Sequence, residues 1–445
     1  MTPEELRIEM RQLREEGRDV RSIASEAERL LRSQRSGNEP WEEWAQALLD
    51  RAAELPQAKG YPWREPSDLA EIRRERPEGP RALPLRMSRT ALLDRLHGAW
   101  LGRCAGCLLG KPYEGWRSPR LWGFLKETGD YPLSGYFRMP ASPQIRKRYE
   151  LDAENLRSLS IRRVKFGPED DDTNYTVIAL ALMRQKGPKF APADVAELWL
   201  KSLPLLHTYT AERAAYRNFA NGIGPPESAR VRNPYREWIG AQIRADFFGY
   251  VTAGRPELAA EFAWRDASIS HVKNGIYGEM WVAAMLAAAA ATDDIREVIR
   301  IGLSEIPARS RLAAAIHDAV HWRDERIPFE EAIARIHKRW DEQSPHDWCH
   351  TISNAQIVAL GLLWGEGDFG KAICRAVQAC FDTDCNGATV GSLMGMMLGA
   401  RRLPRRWIAP LHGKLRTGVA GYPMARIADL AAQTLQVAAE IRRSR

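Results

Sequence analysis

Gly98, Gly102, Gly106 and Gly110 recur at every fourth position, and so do Gly387, Gly391, Gly395 and Gly399. Fourth-residue spacing lays each set along one face of a helix. Glycine costs about 1 kcal/mol per helical position relative to alanine, so eight of them need a compensating gain. Close approach of helix backbones is the simplest one. Within a membrane such ladders would suggest paired spans, but Arg103 and Lys111 interrupt the first. No run of about eighteen residues is apolar and uncharged, so neither ladder reads as a span. Both are expected to be central, tightly packed helices of a folded core.

At 445 residues and 44% hydrophobic, the chain can bury a large core. From Ser88 onward, Ala- and Leu-rich segments at helical period dominate, including Ala191–Leu203, Tyr235–Val251, Tyr277–Ala291, Pro328–Trp340, Gly370–Cys380 and Met424–Arg442. Convincing alternating strands and fixed-period repeats are absent. The expected class is therefore all-α, in two parts. Residues 1–87 form an N-terminal helical extension, with mixed-charge helices to about residue 54 and a Pro-rich linker or wrapping arm over Pro56–Pro84. Residues 88–445 form the body. The charged N-terminal sequence lacks the apolar segment of a signal peptide. Six sparse cysteines suit a reducing, cytoplasmic setting. Cys104 and Cys107 fall inside a glycine-ladder helix and read as core residues rather than a metal or redox pair. The net charge of +8 would suit a phosphorylated substrate. Arginines are scattered among acids along the sequence, so a nucleic-acid partner is not expected.

Two acidic clusters carry the chemistry. Glu169-Asp170-Asp171-Asp172-Thr173 precedes one apolar run, and Asp382-Thr383-Asp384-Cys385-Asn386 precedes the second glycine ladder. An Asp or Thr before an apolar run is also a good helix cap, but one oxygen suffices for that and three consecutive aspartates exceed it. The second cluster opens like an EF-hand loop, D-x-D-x-N-G, yet its twelfth position is Leu393 where a bidentate Glu is needed. It therefore needs ligands from elsewhere. Bringing both clusters together would be costly without a cation between them, and hard divalent ions prefer such oxygen ligands.

Four stretches in this order, residues 98–116, 169–176, 270–286 and 381–400, resemble the ADP-ribosylglycohydrolase family. The resemblance implies a multi-helix orthogonal bundle with two Mg²⁺ or Mn²⁺ ions in a cleft. Position by position, it implies Asp170, Asp171, Asp172, Asp382, Asp384 and Cys385 as metal ligands. Glu114 matches the family's glutamate near the scissile bond, and Asp171 would assist proton transfer. His271, Asn274, Gly275, Tyr277 and Gly278 fall on a substrate loop, where a helix N-terminus would offer N–H groups to a pyrophosphate and Tyr277 a stacking face. Gly240–Arg244 falls where another substrate loop is expected. Two positions depart from the family pattern. Asp170 and Cys385 stand where hydroxyl residues are usual, and a soft thiol suits Mg²⁺ poorly. The implied activity is hydrolysis at the ribose anomeric carbon of an ADP-ribosyl group, on a protein or a small nucleotide-sugar. A hydrolase of a small ribosylated metabolite and an inactive ADP-ribose binder are the alternatives. The extension is free to mediate oligomerisation.

Overall fold

The computed structural model describes residues 2–33 and 40–443. The glycine ladders face one another across an antiparallel pair of helices, Arg89–Gly110 and Thr383–Leu398. A Cβ on Gly98, Gly102 or Gly106 would collide with the carbonyl of Gly395, Gly391 or Gly387, and the reverse collisions hold. The fourth rungs differ. Gly110 abuts the Thr383 backbone at the start of the partner helix, and Gly399 caps its end at φ +75°. Backbone contact along this seam is the gain that offsets the low helix propensity of glycine. It also fixes register, so that the residues after Gly110 lie beside Asp382–Cys385.

The helices Asp171–Lys186, Asn274–Ala289 and Thr351–Gly365 are buried on nearly every face and pack around this pair. A helix apolar all round belongs in a core. All six cysteines are free and buried, Cys104 and Cys107 among them. Among the described residues no helix is long and apolar enough to cross a membrane. A two-stranded antiparallel sheet, Lys414–Arg416 with Met424–Arg426, is the exception to the all-α reading. It also shortens the expected Met424–Arg442 helix to Ile427–Arg443. The expected helix over Tyr235–Val251 is corrected as well. Only a 3₁₀ turn at Gln242–Arg244 and a helix at Asp246–Val251 form there. Arg236, Glu237 and Arg244 make buried side-chain pairs instead, which override the local periodicity.

The extension has a small core of its own, built from residues such as Leu6, Met10, Leu13, Leu30 and Leu48. Its helix Pro3–Glu15 and the following arm lie on the body through buried charge. Arg236 pairs with Glu9 at 2.6 Å and Glu16 at 2.7 Å, and Lys273 pairs with Glu16 at 3.0 Å. Arg311 joins Glu65 of the arm, at 2.9 Å, to Glu237 of the body, at 2.7 Å. The stretch read as a linker or wrapping arm is held against the body, with a helix at Leu69–Glu75 and backbone bonds from Arg64 to Arg309 and from Leu83 to Gly254.

Candidate metal centre

Asp170 is the N-cap of the Asp171–Lys186 helix, accepting from the Asp172 N–H at 2.9 Å. The capping reading and the surplus-acid reading thus both hold, because one aspartate caps and two remain. Cys380 and Phe381, at φ +68° and +59°, deliver the second cluster. Two consecutive non-glycine residues in the left-handed region are strained by about 1–3 kcal/mol each, which the surrounding packing must hold. Asn354 helps by accepting from the Asp382 N–H at 3.1 Å and from the Asn386 amide at 2.8 Å.

The two clusters meet. Asp172, Asp384 and Cys385 offer ligand atoms that all lie within 4.8 Å of one another, and so do Cys107, Asp170 and Asp172. Asp172 and Asp384 are almost fully buried. Asp172 Oδ2 and Asp384 Oδ1 have no hydrogen-bond partner. Burial, followed by the neighbouring carboxylates, pushes Asp171, Asp172 and Asp382 well above the usual carboxylate range, and Asp384 rises for the same leading reasons. Glu114 follows the first ladder, and repulsion from Asp384, then burial, pushes it up to about 9. Orphaned, mutually repelling oxygens of this kind fit a hard divalent cation. Cys385 fits less well. Burial and the charges of Asp172, Asp382 and Asp384 keep its thiol protonated, and a thiol is a weak ligand until it ionises.

Sequence reasoning passed over two cations here. Lys111 forms a close ion pair with Asp170 and outweighs burial there, holding its carboxyl below the ordinary range while Asp171 and Asp172 rise. Arg103, fully buried, donates to the Asp172 carbonyl at 2.9 Å, to Asp246 at 2.7 Å and to the Ile243 carbonyl at 2.6 Å. The signal for both was on view, since they are the charges that interrupt an otherwise apolar ladder. Lys111 supplies the counter-charge that the extra aspartate at position 170 requires.

The substrate loop expected over residues 271–278 is committed elsewhere. The Asn274 backbone N–H donates to Glu237 at 3.1 Å, and the Asn274 side-chain Oδ1 accepts from the Leu312 N–H at 3.0 Å. The N–H groups of Gly275 and Tyr277 donate to the carbonyls of Val272 and Lys273. Tyr277 is buried, with its hydroxyl on the Pro66 carbonyl, and His271 is buried beside Ser270 at 2.8 Å. Gly278 packs against Thr351 and Gln242. The exposed N–H groups and free aromatic face expected there are absent because neighbouring carbonyls, Glu237 and the arm already use them. Arg244 of the 240–244 stretch is likewise buried between Glu212 and Asp266.

A third cluster, Glu15, His346 and His350, has ligand spacing. Its tautomers argue against a cation. Trp238 Nε1–H faces His346 Nδ1 at 3.2 Å, and the Ile352 N–H faces His350 Nδ1 at 3.2 Å. With Nδ1 accepting in each ring, the proton sits on Nε2, the nitrogen that faces the Glu15 carboxylate. The arrangement is a carboxylate that accepts from His346 at 3.0 Å, with His350 Nε2 facing it at 3.7 Å beyond hydrogen-bond reach.

A cleft of about 960 Å³ reaches the acidic centre through Lys111 and Glu169. Glu169 is fixed by Asn174 at 2.5 Å and His207 at 2.9 Å. Tyr209 is about half exposed, and partial burial, followed by the charges of Asp171, Glu169 and Glu114, raises its phenol.

A family model described as ADP-ribosylglycohydrolase matches residues 88–442. Among solved structures, one titled "ADP-ribosylglycohydrolase-related protein complex" is similar at 19% identity and a TM-score of 0.46, covering 79% of this chain and 99% of its own. The comparison with curated proteins gave no match.

Proposed function

The chain belongs to the ADP-ribosylglycohydrolase family, and from that premise we propose a divalent-metal-dependent hydrolase that cleaves at the ribose anomeric carbon of an ADP-ribosyl group. The observation that carries the proposal is the convergence of Asp172 and Asp384, from opposite ends of the body, with oxygens that no protein group satisfies. Asp171, Asp172, Asp382 and Asp384 are the ligands we assign, with Asp170 turned toward Lys111 and the Cys385 thiol at the margin. When bound, Mg²⁺ or Mn²⁺ would supply Lewis-acid polarisation and offset the carboxylate charge.

The chain's own residues do the rest. Glu114 stands beside Asp384, and in the metal-free site repulsion from Asp384, then burial, favours its protonated form. It is suited to give a proton to a departing acceptor and, once ionised, to take one from water. Asp171 is poised for the complementary transfer. The surrounding carboxylates favour positive charge developing at the sugar carbon. Lys111 restrains Asp170, so that the helix start keeps one geometry.

The test is release of ADP-ribose from ADP-ribosyl peptides and small ADP-ribosyl conjugates, with and without Mg²⁺. Asp171→Ala should lose about 10²–10⁴-fold in kcat, the range of one acid–base group, and Asp384→Ala should lose its Mg²⁺ dependence as well. Wild-type turnover in both variants would refute the mechanism. Binding of ADP-ribose without turnover at any divalent ion would favour an inactive binder instead.

A further inference from the structure

The cleft that reaches the acidic centre is basic. Arg162, Arg163, Lys165 and Arg416 are exposed and line it together with Lys111, against Glu154 and Glu169. Lys111 and Glu169 are already engaged, by Asp170 and by His207. Arg163 has only a loose pairing with Glu154 at 3.6 Å. Among the described residues Arg162, Lys165 and Arg416 have no acidic partner. A second cleft of about 520 Å³ adjoins the first, shares Arg162 and Arg163, and adds Arg138, Arg146 and Arg157. Asp152, which pairs with Arg146 and Arg157, is the acid that lines this second cleft.

Like charges gathered on one surface raise the potential there and concentrate anions against it. One diphosphate would engage two or three such groups, and the two clefts hold more. Aromatic faces accompany the charge. Phe166 lines the first cleft, and Tyr209 stands exposed by the acidic centre. Cations that track phosphates, with aromatic rings that stack bases, are what a single-stranded nucleic acid requires. An acidic peptide would use the cations and leave the rings idle.

We propose that these adjoining clefts bind a single-stranded nucleic acid, whose phosphates run over Arg162, Arg163, Lys165 and Arg416 toward the acidic centre. That the strand is the acceptor cut from the ribosyl group rests on the function proposed above. Binding of the strand does not.

The test is fluorescence anisotropy of the full chain with a labelled 12-nucleotide oligothymidine, with a poly-glutamate peptide of equal charge as competitor. Binding is expected with a log–log salt slope of about −3, because each phosphate neutralised on a single strand contributes about −0.7. Arg162→Glu combined with Arg416→Glu should weaken binding at least tenfold and roughly halve the slope. Arg7→Glu with Arg29→Glu, the same charge change on exposed residues of the extension, should leave both unchanged. Arg416→Glu alone, on the small sheet, gives an independent reading should the double variant misfold. Asp384→Ala should bind the strand as well as wild type even with hydrolysis lost, which separates failure of this proposal from failure of the hydrolase reading. Absence of binding at 50 mM salt, equal loss in the extension variant, or poly-glutamate binding as tightly as the oligonucleotide would each overturn it.

Discussion

Two of the regions in which this protein buries carboxylates treat them in opposite ways. Where the extension meets the body, Glu9, Glu16, Glu65 and Glu237 each lie against Arg236 or Arg311, and Glu15 lies between His346 and His350. Burial alone would raise these acids, yet Glu15, Glu16 and Glu237 all fall below the ordinary range because their partners outweigh it. At the acidic centre the balance reverses. Asp171, Asp172, Asp382, Asp384 and Glu114 face Arg103 and Lys111 as the nearby cations, and each is pushed up. Where the extension meets the body the counter-charge is built in. At the centre, converging aspartate oxygens stay unpaired, which suits a cation that the chain itself does not supply.

The comparison breaks most sharply on substitution. Arg311→Ala should destabilise the fold by about 3–5 kcal/mol, because it strands Glu65 and Glu237 as unpaired buried charges. Asp384→Asn should do the reverse in metal-free protein, raising stability by about 1 kcal/mol or more as repulsion is relieved. Chemical denaturation in the presence of a chelator measures both. Destabilisation of equal size in the two variants would erase the distinction between the regions.

Divalent ions sharpen it next. A ligand that binds only the folded state stabilises it by about 2.7 kcal/mol at a hundred times its Kd. Mg²⁺ should therefore raise the Tm of the wild type and of Arg236→Lys, and should leave Asp384→Asn unmoved. The seam that aligns the centre comes third. Gly102→Ala should cost about 1–3 kcal/mol through overpacking against Gly391, despite the better helix propensity of alanine. A neutral or stabilising result would mean that the helices can separate without loss.

The smallest effect is in pH. Burial holds His350 down to about 3 in the fold, and Glu15 also lies below its usual value. A depressed folded-state value contributes stability above the unfolded pKa and loses it as pH falls. Hydrogen exchange in the Pro3–Glu15 helix should therefore accelerate as pH drops below about 6.5 toward 3, after correction for the intrinsic rate. Glu114 has the opposite sign. Its raised value favours the protonated fold, so metal-free protein should lose stability around the centre as pH rises from about 4.5 to about 9. Local protection moving the same way in both regions would contradict the assignment.

These contrasts also mark what the sequence could reveal. The glycine ladders announced a backbone seam because nothing else explains eight glycines at fourth-residue spacing. The aspartate runs announced a centre because they exceed what capping needs. The fate of residues 271–278 was hidden, since a Gly-containing helix start looks the same whether its N–H groups meet a ligand or Glu237. Lys111 and Arg103 were visible only as interruptions of a pattern, and their meaning appeared once Asp170 and Asp172 stood beside them. The basic clefts were hidden for a similar reason. Arg138, Arg162 and Arg416 are scattered along the chain, and only the fold gathers them.

The most direct measurement of the central claim is anomalous difference density from crystals grown or soaked with Mn²⁺. At least one strong peak is expected between the carboxylates of Asp172 and Asp384, and it should disappear in Asp384→Ala. A structure at saturating Mn²⁺ with no peak there, and the two carboxylates moved apart, would contradict the claim.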